Sequence, residues 1–412
     1  MENSDNSLGI GTYEQNVYAI LKACLTEKES VTLHPQFDFY APKGIRLLNW
    51  PAKTAVEVKY RLIYDTLPKI KFLYDQKSDD VEHLVVVFFE PISPFSLHFL
   101  YDNKGIHGRN IIIKSYDDLY KEAGKPDLKK GNEYDNTINQ EFRDKTFSRA
   151  KDAFKNNKIS LFLGAGVSAS AGVVTWKSLL EQLCVKHNIS RIDSDIDEII
   201  KGRIIVDEYN EGNKLSPIFY EDMKDILYSN LYPRRPLIKT IAKLIEQAPQ
   251  LESVISYNYD NLVEQEVSKV KPCSPIYDKS RNDNAETIKV YHVHGFISQE
   301  DKKNYSQIVL GEKEYHKIYQ EAYNWGNVEQ LHALCRSTCF FIGLSMNDPN
   351  LRRLLDISSE TGSEVEPTHY VFLREIEYNI PIMEKIMRSF GILCIWYKHH
   401  KDLPGILEKL MV

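Results

Sequence analysis

The sequence predicts an α/β protein in two parts: a C-terminal doubly wound parallel sheet and a smaller N-terminal α+β domain. Three observations carry this reading. Beyond residue 146, apolar strand-like runs alternate with helical patterns, whereas upstream one helical stretch is followed by short strand-like runs. Between them lies a polar stretch, KPDLKKGNEYDNTINQEFRDK, holding Pro126 and Gly131. Continuous apolar strands separated by helices imply parallel pairing with both sheet faces covered, and a polar break with Pro and Gly marks a boundary. The expected division is therefore an α+β domain over residues 1–125, a linker over 126–145 and an α/β domain over 146–412.

In the first part, Tyr13–Cys24 reads as a helix, and Thr32–Tyr40, Ala55–Tyr60, His83–Phe89 and Ile111–Lys114 as strands. In the second, the strand-like runs are Ile159–Leu163, Ser253–Tyr257, Ile288–Val293, Gln307–Leu310, Thr338–Gly343, His369–Leu373 and Ile392–Trp396. Composition limits what such a chain can do. With 412 residues, 42% hydrophobic and 27% charged, it is long enough for two cores and too apolar to be disordered. A net charge of -6 argues against a whole-protein grip on nucleic acid or on an anionic membrane, and leaves room for a local basic groove. The opening MENSDNSLGIGTYEQ has neither a basic nor an apolar signal region, and no stretch approaches the roughly 20 apolar residues of a spanning helix. A cytoplasmic protein with no membrane partner is expected. Six scattered cysteines without a CxxC point to reduced thiols, with no zinc and no disulfide framework.

The chemistry gathers at strand ends. Ile159–Leu163 runs directly into Gly164-Ala165-Gly166, where small residues let backbone N–H groups approach a pyrophosphate. Placed first in an alternating α/β series, this reads as a dinucleotide cradle, although a lone GxG is also a common tight turn. Ser253-Val-Ile-Ser-Tyr-Asn-Tyr-Asp260 ends a strand in Asn258 and Asp260, two polar groups able to hold a ribose or an amide. Ile288-Lys-Val-Tyr-His-Val-His-Gly295 ends another in His294, an imidazole placed to act as general base. His292 has the opposite strand parity and reads as structural. Phe340-Phe-Ile-Gly-Leu-Ser-Met-Asn-Asp-Pro349 contributes Gly343 and Ser345, then a helix start at Asp348-Pro349.

This ordered set, with Gly172, Trp176 and the ending Tyr397–Leu410, resembles the sirtuin superfamily, specifically the sirtuin-like (SIR2-like) domains of bacterial antiphage systems, over about residues 146–412. The resemblance implies a Rossmann-like fold with NAD+ as substrate. It implies Gly164, Ala165, Gly166 and Ser168 on the phosphates, Asn258 and Asp260 on the nicotinamide ribose side, His294 as catalytic base, and Gly343 with Ser345 toward the adenosine. The chain lacks the two Cys pairs of the family's protein deacylases, which disfavours deacylation. It also departs at Gly172-Val-Val-Thr-Trp176, where Pro usually precedes the Trp, and at Tyr257, where Thr commonly precedes the Asn.

In the first part, Asp38 and then Glu57-x-Lys59 on two strand-like runs resemble the PD-(D/E)xK pattern of restriction-endonuclease-like folds, over about residues 10–120. Alternation puts Glu57 and Lys59 on one strand face, where carboxylates from Asp38 and Glu57 could hold Mg²⁺. Glu14 fits the family's frequent extra acidic residue, and the following stretch through Arg61, Lys69 and Lys71 is mildly basic. The plain alternative is a solvated strand face, since E-x-K tripeptides arise by chance.

The leading expectation is an NAD+ glycohydrolase of antiphage defence, releasing ADP-ribose and nicotinamide when activated in abortive infection. Its rivals are a Mg²⁺-dependent nuclease whose sirtuin-like domain senses NAD or ADP-ribose, and a scaffold for a partner ATPase. Expected partners are further copies of the chain in a homo-oligomer, a hexameric DNA-translocase ATPase as in some related defence systems, and nucleic acid at the N-terminal domain.

Overall fold

The computed structural model describes residues 13–34, 36–61, 70, 72, 74–77, 79–90, 110–126, 136–189, 196–211, 214–279, 287–300, 306–321, 323–360 and 369–412. Two compact units emerge. The first comprises Met1–Glu141 with Ser363–Val365 and Asn379–Ser389; the second comprises Phe142–Gly362, Glu366–Tyr378 and Phe390–Val412. The latter part of the expected linker is not extended, because Asn136–Asn156 forms one helix. Its residues are polar yet contain no proline or glycine to break a helix once formed.

The first unit opens with the helix Tyr13–Ala23, whose Val17, Ile20 and Leu21 are buried at helical spacing. Five strands follow: β1 Thr32–Leu33, β2 Phe39–Ala41, β3 Thr54–Arg61, β4 His83–Glu90 and β5 Ile111–Ser115. They lie in chain order, β1 to β3 antiparallel and β3 to β5 parallel. The single run expected at Thr32–Tyr40 is thus two short strands. Leu84, Val85, Val86 and Val87 are all fully buried, so β4 is covered on both faces. Of the basic stretch after Lys59, Arg61 ends β3, while Lys69 and Lys71 lie outside the described residues. Late in the chain, the helix Ile380–Ser389 returns to this unit, where Arg388 Nη1 meets Glu14 Oε1 at 2.6 Å.

The second unit is built on a seven-stranded parallel sheet. Its strands are β6 Ile159–Leu163, β9 Leu251–Ser256, β10 Cys273–Ile276, β11 Ile288–His292, β12 Thr338–Ile342, β13 His369–Arg374 and β14 Ile392–Tyr397. A separate hairpin pairs β7 Asn210–Glu211 with β8 Lys214–Leu215. Sheet order is β10-β11-β9-β6-β12-β13-β14, with every pairing parallel. β6 and β12 are buried at every position, as central strands covered on both faces must be. From β6 the chain first builds outward through β9, then returns to place β12 on the other flank. The reversal beside β6 opens a crevice at the carboxyl ends of the strands.

One expected strand is absent here, and one strand was not expected. Gln307–Leu310 is no strand: Val309 N–H donates to the His294 carbonyl at 2.8 Å and the Val309 carbonyl accepts from the Tyr259 hydroxyl, so its hydrogen bonds go to a turn and a side chain. Its Ile308, Val309 and Leu310 are buried all the same, which explains the apolar signal. Conversely, β10 gives no period-two pattern and carries Pro275, a residue tolerated at a sheet edge, which is where β10 lies. No helix among the described residues is long and apolar enough to cross a membrane.

Candidate functional site

Register levels four strand ends. Leu163 of β6 stands opposite both Ser256 of β9 and Ile342 of β12, and Ser256 stands opposite His292 of β11. The residues just beyond continue this level: Tyr257 N–H donates to the Leu163 carbonyl, Val293 N–H to Ser256 and Gly164 N–H to Ile342, at 2.9, 3.1 and 3.0 Å. The Gly-rich turn, Asn258, His294 and Gly343 therefore share one rim, as the sequence implied.

Within the turn the structure divides the labour. Gly164 and Ser168 are buried, whereas Ala165 and Gly166 are exposed. A Cβ on Gly164 would come within 2.5 Å of both the Gly343 carbonyl oxygen and Leu344 Cδ2. Gly343 itself has φ +69°, and its Cβ would come within 2.6 Å of the Val167 nitrogen. These glycines thus let two strand ends meet backbone to backbone, and Gly166 N–H donates to Gly343 at 2.9 Å. Ala165 and Gly166 are the exposed residues of the turn, the Gly166 N–H being already given to the Gly343 carbonyl. Ser345 is exposed.

Three polar atoms at this rim are buried with no hydrogen-bond partner: Ser168 Oγ, Asn258 Nδ2 and His294 Nε2. Orphaned buried polar groups are uncommon and call for an explanation. Asp260 is buried, which pushes its carboxyl pKa up; the neighbouring Ser168 and the Leu262 N–H, 3.2 Å from Oδ1, pull the other way. Ser168 is near enough to favour that charge without a hydrogen bond of good geometry.

Burial pushes the His294 imidazole below its usual pKa, and the Asp348 carboxylate opposes this. Nε2 stands 3.4 Å from Asp348 Oδ2, which also accepts from the Tyr315 hydroxyl at 2.7 Å. The His294 ring lies edge-on to Tyr257 at 4.8 Å and to Tyr315 at 5.8 Å. Tyr257, the residue in place of the usual Thr, donates its hydroxyl to Gln330, so the larger ring forms a wall for the imidazole. Sequence reading missed Tyr315, and it took Asp348 for a helix start. Asp348 is that too, its Oδ1 accepting from Leu351 N–H at 2.7 Å.

In the first unit, Lys59 Nζ donates to Glu57 Oε1 at 2.7 Å, on one face of β3 as alternation requires. Asp38 Oδ2 accepts from Val58 N–H at 2.8 Å. One oxygen of each carboxylate is thus engaged, Glu14 Oε1 is paired with Arg388, and no group of three His, Cys, Asp or Glu side chains gathers to hold a metal ion among the described residues. The expected Mg²⁺ site does not fit these residues, and no chemistry is derived through it.

Residues 252–395 match the family described as SIR2-like domain. The chain is 27% identical over 281 residues to the NAD(+) hydrolase ThsA of Acinetobacter baumannii (strain 532279), covering 62% of this chain and 53% of that protein. It is 26% identical to the ThsA of Enterococcus faecium, over 55% and 45%, and 22% identical to that of Bacillus cereus (strain MSX-D12), over 63% and 55%. The chain thus spans about half the length of these relatives. A solved Sir2 enzyme structure aligns with a TM-score of 0.35 at 16% identity, covering 64% of this chain and 96% of its own. Residues 252–395, which match the SIR2-like domain, include the strand ends that carry Asn258, His294 and Gly343.

Proposed function

We propose that this chain is an NAD+ glycohydrolase effector of bacterial antiphage defence, cleaving NAD+ to ADP-ribose and nicotinamide. The observation that carries the reading is the set of orphaned polar atoms at the rim. Ser168 Oγ, Asn258 Nδ2 and His294 Nε2 each lack a hydrogen bond of good geometry within the protein, and a dinucleotide with its ribose hydroxyls supplies acceptors and donors for all three. The relatives named NAD(+) hydrolase support the same substrate.

The bond from ribose C1′ to the nicotinamide nitrogen breaks, and its electron pair neutralises the pyridinium of the leaving nicotinamide. A water oxygen bonds to C1′ and yields its proton to His294. Burial favours the neutral imidazole that can accept it. Asn258 and Asp260 orient the ribose. Ala165 and Gly166, exposed at the turn, face the phosphates, with Gly343 behind them and Ser345 toward the adenosine.

The test is incubation of the purified chain with NAD+, following nicotinamide and ADP-ribose by chromatography. Asn258→Ala and His294→Ala are each expected to lower turnover by about 100-fold or more while leaving the fold intact. Wild-type turnover in both variants would reject the assignment, and tight NAD+ binding without turnover under all conditions would make the domain a sensor. Uncontrolled NAD+ loss would harm the cell that makes the protein, so activity is held in check by assembly. A homo-oligomer, joined by a hexameric DNA-translocase ATPase and by nucleic acid at the first unit, is the arrangement we assign. A monomeric full-length chain with constant NAD+ turnover at every concentration would contradict it.

A further inference from the structure

A buried ion pair lies next to the candidate site, and the chemistry above makes no use of it. His292 Nε2 stands 2.5 Å from Glu264 Oε1, with side chains 1% and 7% exposed. The other ring nitrogen, Nδ1, stands 2.7 Å from the Asn258 carbonyl oxygen. A carbonyl can only accept, so Nδ1 carries a proton; a carboxylate also accepts. Both ring nitrogens thus face acceptors. Burial alone would drive the ring neutral, but the charge and hydrogen bond of Glu264 and the bond to Asn258 raise its pKa above the usual histidine value.

Buried ion pairs seldom add net stability over an apolar pair of the same volume, because both charges leave water. Position is the more informative property of this one. The Asn258 amide nitrogen has no partner of its own, so the backbone must set the orientation of that side chain. Glu264 lies on the helix Leu262–Val267, directly after the Asn258 turn, and His292 is the last residue of β11, two before His294. The His292 ring therefore ties both ends of the segment 258–264 to the end of β11, two residues before His294.

We propose that His292, held by Glu264, is a positioning residue for NAD+ cleavage, fixing the Asn258 carbonyl so that the Asn258 amide and the His294 ring stay in register. This rests on the glycohydrolase reading above. The experiment measures kcat, KM and thermal melting for wild type, His292→Leu, His292→Asn and the double variant His292→Leu with Glu264→Gln, which leaves no stranded charge. His292→Leu and the double variant are expected to lower kcat per folded molecule by about tenfold or more, with KM within about twofold. His292→Asn, whose amide can still donate to the Asn258 carbonyl, is expected to recover much of the loss. A cleaving wild type with full kcat per folded molecule in the double variant would overturn the inference alone. Failure of the double variant and of His292→Asn to fold would make the pair structural and overturn it too. A wild type that never cleaves NAD+ would overturn the glycohydrolase reading and this inference with it.

Discussion

His294 and Asp348 set the pH behaviour of the site between them. Burial lowers the imidazole pKa and the Asp348 carboxylate raises it, with a net depression that favours the neutral ring. The acid limb of kcat/KM is expected below the ordinary imidazole value of about 6.5. Asp348→Asn removes the opposing charge and should move that limb lower still, as a pH–rate profile of both proteins would reveal. At Gly164 the demand is steric. Gly164→Val would drive its side chain into the Gly343 carbonyl and Leu344, so the expected result is a fall in melting temperature, with about 1–3 kcal/mol or more lost to overpacking. A folded variant of unchanged stability would contradict that packing. The tight turn was legible in Gly164-Ala-Gly166, and so was the rim that Asn258 and His294 share. The contact with Gly343 was not, because it depends on β6 and β12 lying side by side across more than half of the domain's sequence. His292 was read as structural from its parity alone; its partner Glu264 lies a helix away and leaves no local signal.

Elements show the same division between local pattern and distant pairing. The apolar strands β6, β12 and β13 announce themselves, whereas Gln307–Leu310 imitates a strand because burial alone makes it apolar. Glu14, read beside Asp38 and Glu57 as an acidic companion, is instead held by Arg388 on the helix Ile380–Ser389. Arg388→Ala would leave a carboxylate buried without its charge partner, at a cost of about 3 kcal/mol, measurable by denaturant unfolding. An unchanged midpoint would mean that water already reaches Glu14. In β13, buried His369 accepts from the Cys339 N–H at 3.1 Å, and burial pushes its pKa down to about 4. The unfolded chain binds this proton near 6.5, before the folded one does. The stability it confers is therefore complete above the unfolded value and is lost as pH falls toward about 4, amounting to about 3 kcal/mol. His369→Asn keeps an acceptor without a titrating group, and its stability should change less across that window.

At the scale of the whole molecule, the two compact units are not two successive stretches of chain. Residues Asn379–Ser389 belong to the first unit although β13 precedes them and β14 follows them in the second. Removing residues 1–140 would thus leave the helix Ile380–Ser389 without the carboxylate that Arg388 meets. Such a truncation is expected to change NAD+ loss and oligomer size, read by cellular NAD+ levels during phage infection and by size measurement. Identical NAD+ loss from a monomeric full-length chain and from the truncation would contradict control by the first unit.

The same threading orders events at the ribosome. Domains usually fold as they emerge, the earliest first, but here residues 1–141 cannot complete their unit until the helix at Ile380 has been made, late in synthesis. A nascent chain arrested before residue 379 should leave its N-terminal part open to protease even though every residue up to 141 is already outside the tunnel. A cell translating this protein would then hold a finished first unit only once most of the second unit also exists.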